Sequence, residues 1–508
     1  MSTLTAELAE IAERAREAAT EFGLDFPEVV FELVDPDELN MVASYGGFPV
    51  RYAHWRFGME FQHLHKSHEY GLSKIYELVI NNDPCYAYLM KTNTLMEQKL
   101  VMAHVFGHAD FFRQSAWFKP TDRRMMDTMA NHATRVHRHV QRHGPEKVED
   151  FLDACLSLEN LIDPMSLYVR REAPQEPIPE MDTERYAAGQ VHRFDVKHRY
   201  MDPYVNPRPA LEAQKKQIAQ EIEKRRRGRR LPTRDVMGFL LHNAPVSDWQ
   251  ADCIDIVREE AYYFAPQAMT KILNEGWASF VHSRLMTTKL LSQSEFTDYC
   301  DKHSGTLSSP PGQINPYRLG IMLLRDVEDR WNRGAHGRAW RDCDDAEKRR
   351  RWDTGAGEGM RKVFEVRAAH NDVTFLDAFL TPEFIEQEKL FIYGRDPRTG
   401  QTVILDREPA SVKQRLLRQF TNMGHPIIEI ADDNHENRGE LYLRHRHEGT
   451  DLREDFARET LRAVHRIWTR PVHIETVVEQ SRVLWTFDGK DAGTRELGKV
   501  EEEGESGK

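Results

Sequence analysis

The chain has 508 residues, with 70 basic and 82 acidic side chains and a formal net charge of −12. This acidic balance argues against a general affinity for nucleic acid or for an anionic membrane surface. The five cysteines lie far apart and form no CxxC pair, which suggests neither a disulfide framework nor a thiolate zinc cluster. No apolar run approaches the roughly 18 residues of a membrane-spanning helix, and the N-terminus lacks an apolar signal core, so we expect a cytoplasmic protein.

The chain-order pattern predicts an α+β protein whose larger part is helical. Residues 1–165 alternate helical patterns with aromatic loops, and GLSKIYELVI at 71–80 has apolar residues at helical spacing. Prolines recur in a polar background within 166–234, which predicts a linker or insertion. Helical periodicity returns over 235–390, and we expect this part to pack with the first into one domain.

The pattern changes near residue 391. Over 391–490, strand and helix segments follow in the order strand, helix, strand, strand, helix, strand, strand, which predicts a small C-terminal α+β domain of the split βαβ type. The acidic stretch 491–508 is poor in apolar residues, so we expect disorder there. The basic run 224–230 is interpreted as a solvated helix end or, alternatively, as a docking site for an acidic partner or RNA.

The segment EQKLVMAHVFGHADFF carries the first candidate chemistry. His104 and His108 stand at i and i+4, which places both imidazoles on one face of a helix, and Glu97 lies on the same stripe. Gly107 costs about 1 kcal/mol of helix propensity, which indicates close approach of another backbone or of a ligand. The alternative is a pair of ordinary core histidines.

The segment ILNEGWASFVHSRL supplies a matching carboxylate, Glu275, inside an apolar helical pattern. A buried carboxylate needs a cation or hydrogen-bond partner. NEGWA resembles the segment that in gluzincin metallopeptidases supplies the third zinc ligand after an H-E-x-x-H helix, which implies a metallopeptidase-like helical core. We therefore predict a site for Zn²⁺ or another divalent metal held by His104, His108 and Glu275, although Val105 stands where those enzymes have their general-base glutamate.

Two carboxylates are candidates for the missing base. Glu97 precedes His104 by two helical turns, roughly 10 Å along the axis, and is interpreted either as the base or as a residue that orients a ligand. Glu260 is the second candidate. His132 and His282 are candidate further ligands or hydrogen-bond partners of the ligands.

Long motifs are spread over nearly the whole chain: RYAHWRFG, GLSKIYELVINNDP, EQKLVMAHVFGHADFF, ANHA, NEGWASFVH and INPYRLG. Together they resemble the SpoVR family, stage V sporulation protein R and its relatives. The resemblance implies a large helical N-terminal region, a small C-terminal domain, and a link to sporulation and the peptidoglycan spore cortex or to a stress response. It also implies a PrkA-type serine protein kinase and a von Willebrand-domain protein as partners.

Two of these motifs contain further candidate binding residues. In RYAHWRFG, Arg51 and His54 are interpreted as lining an anion or sugar pocket or, alternatively, as part of aromatic packing. In INPYRLG, Tyr317 and Arg318 are expected to contact a substrate or, alternatively, to serve as core and helix-cap residues.

These observations support two functions from different classes. The first is a zinc-dependent hydrolase acting on an amide bond of a peptide or peptidoglycan-related substrate. The second is a non-enzymatic regulator or adaptor that works with the kinase and the von Willebrand-domain protein. RNA binding ranks last because of the acidic charge.

Overall fold

The structure is a computed structural model that describes residues 3–69, 77–169, 191, 194, 196, 201–226 and 232–499. The chain divides into two compact units. The first comprises Met1–Pro164 and Pro245–Pro426, and the second comprises Met165–Ala244 and Ile427–Lys508.

The helices, in chain order, are α1 (Ala6–Glu21), α2 (Pro36–Ser44), α3 (Trp55–Glu69), α4 (Leu95–Gln114), α5 (Met125–His143), α6 (Pro145–Ser157), α7 (Asp202–Val205), α8 (Arg208–Arg226), α9 (Val236–Asn243), α10 (Asp248–Met269), α11 (Lys271–Leu285), α12 (Phe296–Leu307), α13 (Pro316–Arg333), α14 (Gly337–Arg341), α15 (Ala346–Arg350), α16 (Gly359–Ala369), α17 (Asp372–Phe379), α18 (Pro382–Gln387), α19 (Pro409–Phe420) and α20 (Glu454–Trp468). The strands are β1 (Val29–Val34), β2 (Glu77–Ile80), β3 (Cys85–Met90), β4 (Ile392–Arg395), β5 (Thr402–Asp406), β6 (Ile427–His435), β7 (Glu440–Arg446), β8 (Val472–Val478), β9 (Ser481–Phe487) and β10 (Ala492–Lys499).

The first unit is built around α4 and α11, whose residues are buried on almost every side. A helix without a continuous polar face lies inside a protein rather than on its surface. A three-stranded sheet in the order β1-β3-β2 belongs to the same unit, and β1 shares the apolar core with α4. The candidate histidines therefore lie on a central helix.

Glycines allow the central helices to approach closely. A Cβ atom at Gly107 of α4 would lie 2.8 Å from the Cα atom of Ala278 on α11. A Cβ atom at Gly276 of α11 would lie 2.4 Å from the Cα atom of Gly320 on α13. Unbonded carbon atoms pack at about 3.5 to 4.0 Å, so alanine does not fit at either glycine without movement of the helices. The backbone contact expected at Gly107 is confirmed.

The helix predicted for 71–80 is wrong over its described part. Residues 77–80 form β2, which pairs antiparallel with β3, while 71–76 lie outside the described residues. Leu78, Val79 and Ile80 have a spacing that suits either element, and cross-strand pairing with Tyr86 to Leu89 decides for the strand.

The second unit carries a five-stranded sheet in the order β10-β9-β8-β7-β6, on which α20 packs through Leu461 and Val464. Together with the helical first unit this confirms the α+β class. The expected split βαβ arrangement is not formed, because the parallel strands β7 and β8 hydrogen-bond directly with no strand between them. The hairpin β4-β5 and α19, which were expected to belong with this sheet, lie in the first unit.

The acidic C-terminal stretch is partly ordered. Residues 492–499 form β10, which pairs antiparallel with β9 from Ala492↔Phe487 to Lys499↔Ser481. The disorder predicted from residue 491 is therefore wrong for this strand, because backbone pairing compensates for its polar side chains. Residues 500–508 lie outside the described residues.

The segment 166–234 is described only in part. It contains α7 and α8, and α8 ends at Arg226, so the first residues of the basic run are helical. Residues 170–190, where several of the prolines lie, and 227–231 are outside the described residues. Across the part of the chain that the structure describes, no helix is long and apolar enough to cross a membrane.

Candidate metal centre

Two helices bring the candidate ligands together. His104 and His108 lie one turn apart on α4, and Glu275 lies near the start of α11. The close approach at Gly107 sets the two helices side by side at this level. Helix packing thus brings His104 and Glu275 together, although 171 positions separate them in the sequence.

The three donor groups converge on one point. The Oε2 atom of Glu275 lies 3.5 Å from Nε2 of His104 and 3.4 Å from Nε2 of His108. One donor atom from each residue lies within 4.8 Å of the others. Ligand atoms of a tetrahedral zinc ion, each about 2.0 to 2.1 Å from the metal, lie about 3.4 Å apart. The observed spacing therefore fits a metal ion bound by all three residues.

The second nitrogen of each imidazole is held by a neighbouring side chain. Nδ1 of His108 lies 2.9 Å from Oδ1 of Asn274, an acceptor, so Nδ1 carries the proton and Nε2 keeps its lone pair. Nδ1 of His104 lies 2.8 Å from Nδ1 of His282, whose Nε2 lies 3.1 Å from Nδ1 of His303. This chain of imidazoles is consistent with a proton on Nδ1 of His104, which leaves its Nε2 facing Glu275.

The electrostatic environment favours neutral outer histidines beside an ionised carboxylate. Burial lowers the pKa of His282 well below its usual value, and it lowers the pKa of His303 to about 4. Burial also raises the pKa of Glu275, but the nearby imidazoles of His104 and His108 outweigh this effect and hold the pKa well below its ordinary range. A deprotonated carboxylate is the form that binds a cation.

The site is buried, and Glu275 is its most exposed residue. The side chains of His104 and His108 are 4% and 9% exposed, whereas that of Glu275 is 19% exposed. Structural zinc sites are closed by four protein ligands, while catalytic sites have three and leave one position for water or substrate. Two imidazoles and one carboxylate are three protein ligands, which is the number found in sites of the second kind.

Buried acids outside the ligand set fix the positions of α4 and α11. Asp110 of α4 accepts a hydrogen bond from the indole Nε1 of Trp277 at 3.0 Å and pairs with Arg367. The carboxylate of Asp372 accepts the backbone N–H groups of Ile272 and Leu273, both at 2.9 Å, at the first turn of α11. The turn that carries Glu275 is therefore anchored from outside its own helix.

The first candidate base, Glu97, is directed toward the start of its helix. Its carboxylate accepts the backbone N–H of Thr94 at 2.8 Å, and Thr94 in turn caps the N–H of Glu97. Nζ of Lys302 lies 3.0 Å from its other oxygen. This capping box points the carboxylate away from His104, a placement that does not favour the role of a base.

The second candidate base, Glu260, belongs to a different polar cluster. Its carboxylate pairs with Arg51 and lies 3.3 Å from the hydroxyl of Tyr52 and 3.1 Å from Nδ1 of His132. Nε2 of His132 lies 3.1 Å from the carboxylate of Glu259. His132 and Arg51 are thus connected to Glu260 rather than to the three converging donors.

The remaining candidates have mixed placements. The ring of Tyr317 stacks on His104 with centroids 6.1 Å apart, and His282 holds the outer nitrogen of the same imidazole. Arg318 pairs with Glu388 at 3.0 Å. His54 lies 3.1 Å from Asp153. Sequence reasoning did not single out Asn274 and His303, and only the position of Asn274 beside Glu275 offers a signal for either.

The fold and the site define a class: a mainly helical protein with a separate α+β sheet unit and a candidate three-ligand metal centre. The family model described as SpoVR like protein matches residues 2–425, and the SpoVR-like C-terminal domain matches 426–479. The chain therefore belongs to the SpoVR family, which confirms the resemblance of its motifs. It is 27% identical over 480 residues to the uncharacterized protein YcgB of Escherichia coli (strain K12), covering 89% of this chain and 88% of that protein. No solved structure matches the chain.

Proposed function

We propose that this SpoVR-family protein is a metal-dependent hydrolase whose ion is held by His104, His108 and Glu275. The observation that carries the proposal is the convergence of two imidazole nitrogens and one carboxylate oxygen at spacings of 3.4 and 3.5 Å. Two ordinary core histidines would not explain why the carboxylate of Glu275 lies at ligand distance from both of them. Nitrogen and oxygen donors in this combination suit zinc, with other divalent transition metals as alternatives.

The residues around the ligands have defined tasks in this proposal. Asn274 and His282 orient the two imidazoles, and a substrate would approach from the side of Glu275, the most exposed of the three ligands. Tyr317, stacked on His104, is placed to contact a bound substrate. A divalent ion in such a site polarises a carbonyl group and lowers the pKa of water to about 7.

The proposed substrate is an amide bond of a peptide or of a peptidoglycan-related fragment. Its support is the resemblance of NEGWA to the ligand segment of gluzincin peptidases. The family name supports a link to sporulation, and with it to the spore cortex. We place the reaction in the cytoplasm on the basis of the sequence.

A second candidate is a regulator without enzymatic activity, working with a PrkA-type serine kinase and a von Willebrand-domain protein. The observation that favours it is the absence of a base on α4 beside the ligands. Val105 is buried in the apolar core, and Glu97 is engaged with Thr94 and Lys302. In this alternative the histidine and glutamate cluster has a structural role.

Metal content tests the site itself. We expect about one zinc or other divalent ion per chain when the purified protein is measured by inductively coupled plasma mass spectrometry. His104→Ala should lose the ion because three ligands become two, while His137→Ala, a change at an exposed histidine of α5, should keep it. A folded wild-type protein that takes up no metal would rule out the proposal.

Activity separates the two candidate functions. The metal-loaded protein is incubated with peptides and with peptidoglycan fragments, and newly formed amines are measured. The hydrolase predicts amine release that Glu275→Gln abolishes. If the wild type binds metal without releasing amine, and Glu275→Gln still functions in cells and still captures its partners, the regulator is the correct reading.

A further inference from the structure

The first unit contains a cavity of about 400 Å³ with both positive and negative side chains in its wall. It is bordered by α3, by α10 and by the segment around Gly46, and Phe57 and Phe264 supply aromatic surface. His104, His108 and Glu275 are not among its described lining residues. Its volume falls in the range of small-molecule sites, about 300 to 1,000 Å³.

Arg51 is the buried cation of this cavity. Its side chain is only 8% exposed, its guanidinium donates to the carbonyl of Tyr45 at 3.2 Å, and it pairs with Glu260. The guanidinium carbon lies 4.3 Å from the ring centroid of Phe57. Nε of Arg51 has no hydrogen-bond partner among the described residues. A guanidinium fixed in this way has donors left for another acceptor and loses little entropy when it binds one.

Two cations, Arg51 and His132, share one buried carboxylate beside the cavity. Each ring nitrogen of His132 lies 3.1 Å from a carboxylate oxygen, one of Glu260 and one of Glu259. Ionised carboxylates only accept hydrogen bonds, so both nitrogens donate and the ring is an imidazolium. Glu260 is buried, but the side chain of Glu259 is 48% exposed. Arg51 and His132 thus share the buried carboxylate of Glu260, and His132 has Glu259 as a second carboxylate, so a ligand carboxylate near Arg51 would give the guanidinium a second partner as well.

The wall of the cavity also contains negatively charged side chains. Glu60, Glu159 and Arg56 line the cavity, and Arg56 pairs with Glu159 at 2.8 Å on its exposed side, which leaves Glu60 as the carboxylate in this wall that Arg56 does not pair with. A multiply charged anion such as phosphate would be repelled by these carboxylates, whereas a ligand with one negative and one positive group would satisfy both regions.

We propose that this cavity binds a small zwitterion of the α-amino acid type, with its carboxylate on Arg51 and its ammonium group facing Glu60 and Glu159. A guanidinium fork matches a carboxylate in a bidentate geometry. The aromatic rings of Phe57 and Phe264 leave apolar surface for the ligand's side chain. The assignment does not depend on the metal centre.

Isothermal titration calorimetry of the full chain tests the assignment. The probes are the common L-amino acids, and any amino acid that binds is compared with its amide, which lacks the carboxylate, and its N-acetyl form, which lacks the ammonium group. We expect saturable binding of at least one free amino acid, with both modified forms at least 10-fold weaker. No saturation by any amino acid up to about 10 mM would overturn the assignment, as would binding of inorganic phosphate in its place.

Two variants locate the binding. Arg51→Lys keeps a positive charge for Glu260 but lacks the fork, and we expect at least 10-fold weaker binding. Because this buried change can disturb folding, Ala268→Trp provides a second test: Ala268 is an exposed α10 residue that lines the cavity, and an indole there narrows it. Ala210→Trp, on the exposed surface of α8, is the matched control and should leave affinity unchanged. Unchanged affinity in Ala268→Trp would show that the ligand binds elsewhere and refute the assignment.

Discussion

Gly276→Ala is expected to force α11 and α13 apart. The new Cβ atom would lie 2.4 Å from Cα and 2.5 Å from the carbonyl carbon of Gly320. Since unbonded carbons pack at about 3.5 to 4.0 Å, the helices must separate by about 1 Å. Overpacking costs about 1 to 3 kcal/mol and occasionally more, and alanine returns about 1 kcal/mol of helix propensity. Because both contacts are with backbone, which cannot rotate away, we expect a net loss of about 2 kcal/mol.

Gly305→Ala is the matched control. Gly305 lies within α12, and a Cβ atom there meets nothing within 4 Å. This substitution should stabilise the protein by about 0.5 to 1 kcal/mol, because alanine has the better helix propensity and loses less backbone entropy. The two variants make the same chemical change and are predicted to shift stability in opposite directions.

Urea unfolding followed by circular dichroism measures both shifts as changes in midpoint. Metal content measured on the same samples reports on the site, because Glu275 is the neighbour of Gly276 and its 3.4 to 3.5 Å spacing to the histidines depends on the same packing. Gly276→Ala should lower both the midpoint and metal affinity. If its midpoint equals or exceeds that of Gly305→Ala, the helix packing described for the site is incorrect.

Three further predictions follow from single contacts. Asn274→Ala should weaken metal binding about 10- to 100-fold in competition with a fluorescent chelator. Asn274→Asp keeps an acceptor for His108 and should recover most of the lost affinity. Equal affinities in the wild type and both variants would contradict the orienting role of Asn274. Glu97→Gln should keep metal and activity because glutamine also completes a capping box, whereas Glu97→Ala should lower the free energy of unfolding by about 0.5 to 2 kcal/mol. Loss of activity in the glutamine variant with its fold intact would instead identify Glu97 as the base. Burial lowers the pKa of His132, but hydrogen bonds to Glu259 and Glu260 raise it to about 9. The stabilising effect of His132 is therefore complete below the unfolded pKa of about 6.5 and is lost as pH rises through about 9. His132→Gln should cost more stability at about pH 6 than at about pH 10, and a difference that does not depend on pH would contradict this.

Local sequence predicted much of the candidate site because helical spacing is a local property. The i, i+4 positions of His104 and His108 place both on one face, and an apolar pattern around Glu275 predicts a buried carboxylate. Gly107 indicated the close helix contact that brings the two together. The contact itself depends on packing between distant segments, and no local pattern specifies which helices meet.

The capping box of Glu97 could have been predicted from the sequence, whereas the strands β2 and β10 could not. Thr94 and Glu97 have the T-x-x-E spacing of a capping box, a local signal that accounts for this glutamate without a catalytic role. By contrast, β2 and β10 exist through cross-strand pairing with β3 and β9. The helical spacing of apolar residues in β2 does not reveal that it pairs with β3, and the polar composition of β10 does not reveal that it pairs with β9.

X-ray absorption spectroscopy of the zinc-loaded protein tests the central claim most directly. The proposed site predicts a shell of nitrogen and oxygen atoms at about 2.0 to 2.1 Å with two imidazole ligands and no sulfur, and it predicts that His108→Ala, like His104→Ala, retains no zinc under the same conditions. A zinc–sulfur distance of about 2.3 Å, an imidazole count other than two, or a His108→Ala variant that keeps zinc in an unchanged shell would contradict the assignment of His104, His108 and Glu275 as the ligands.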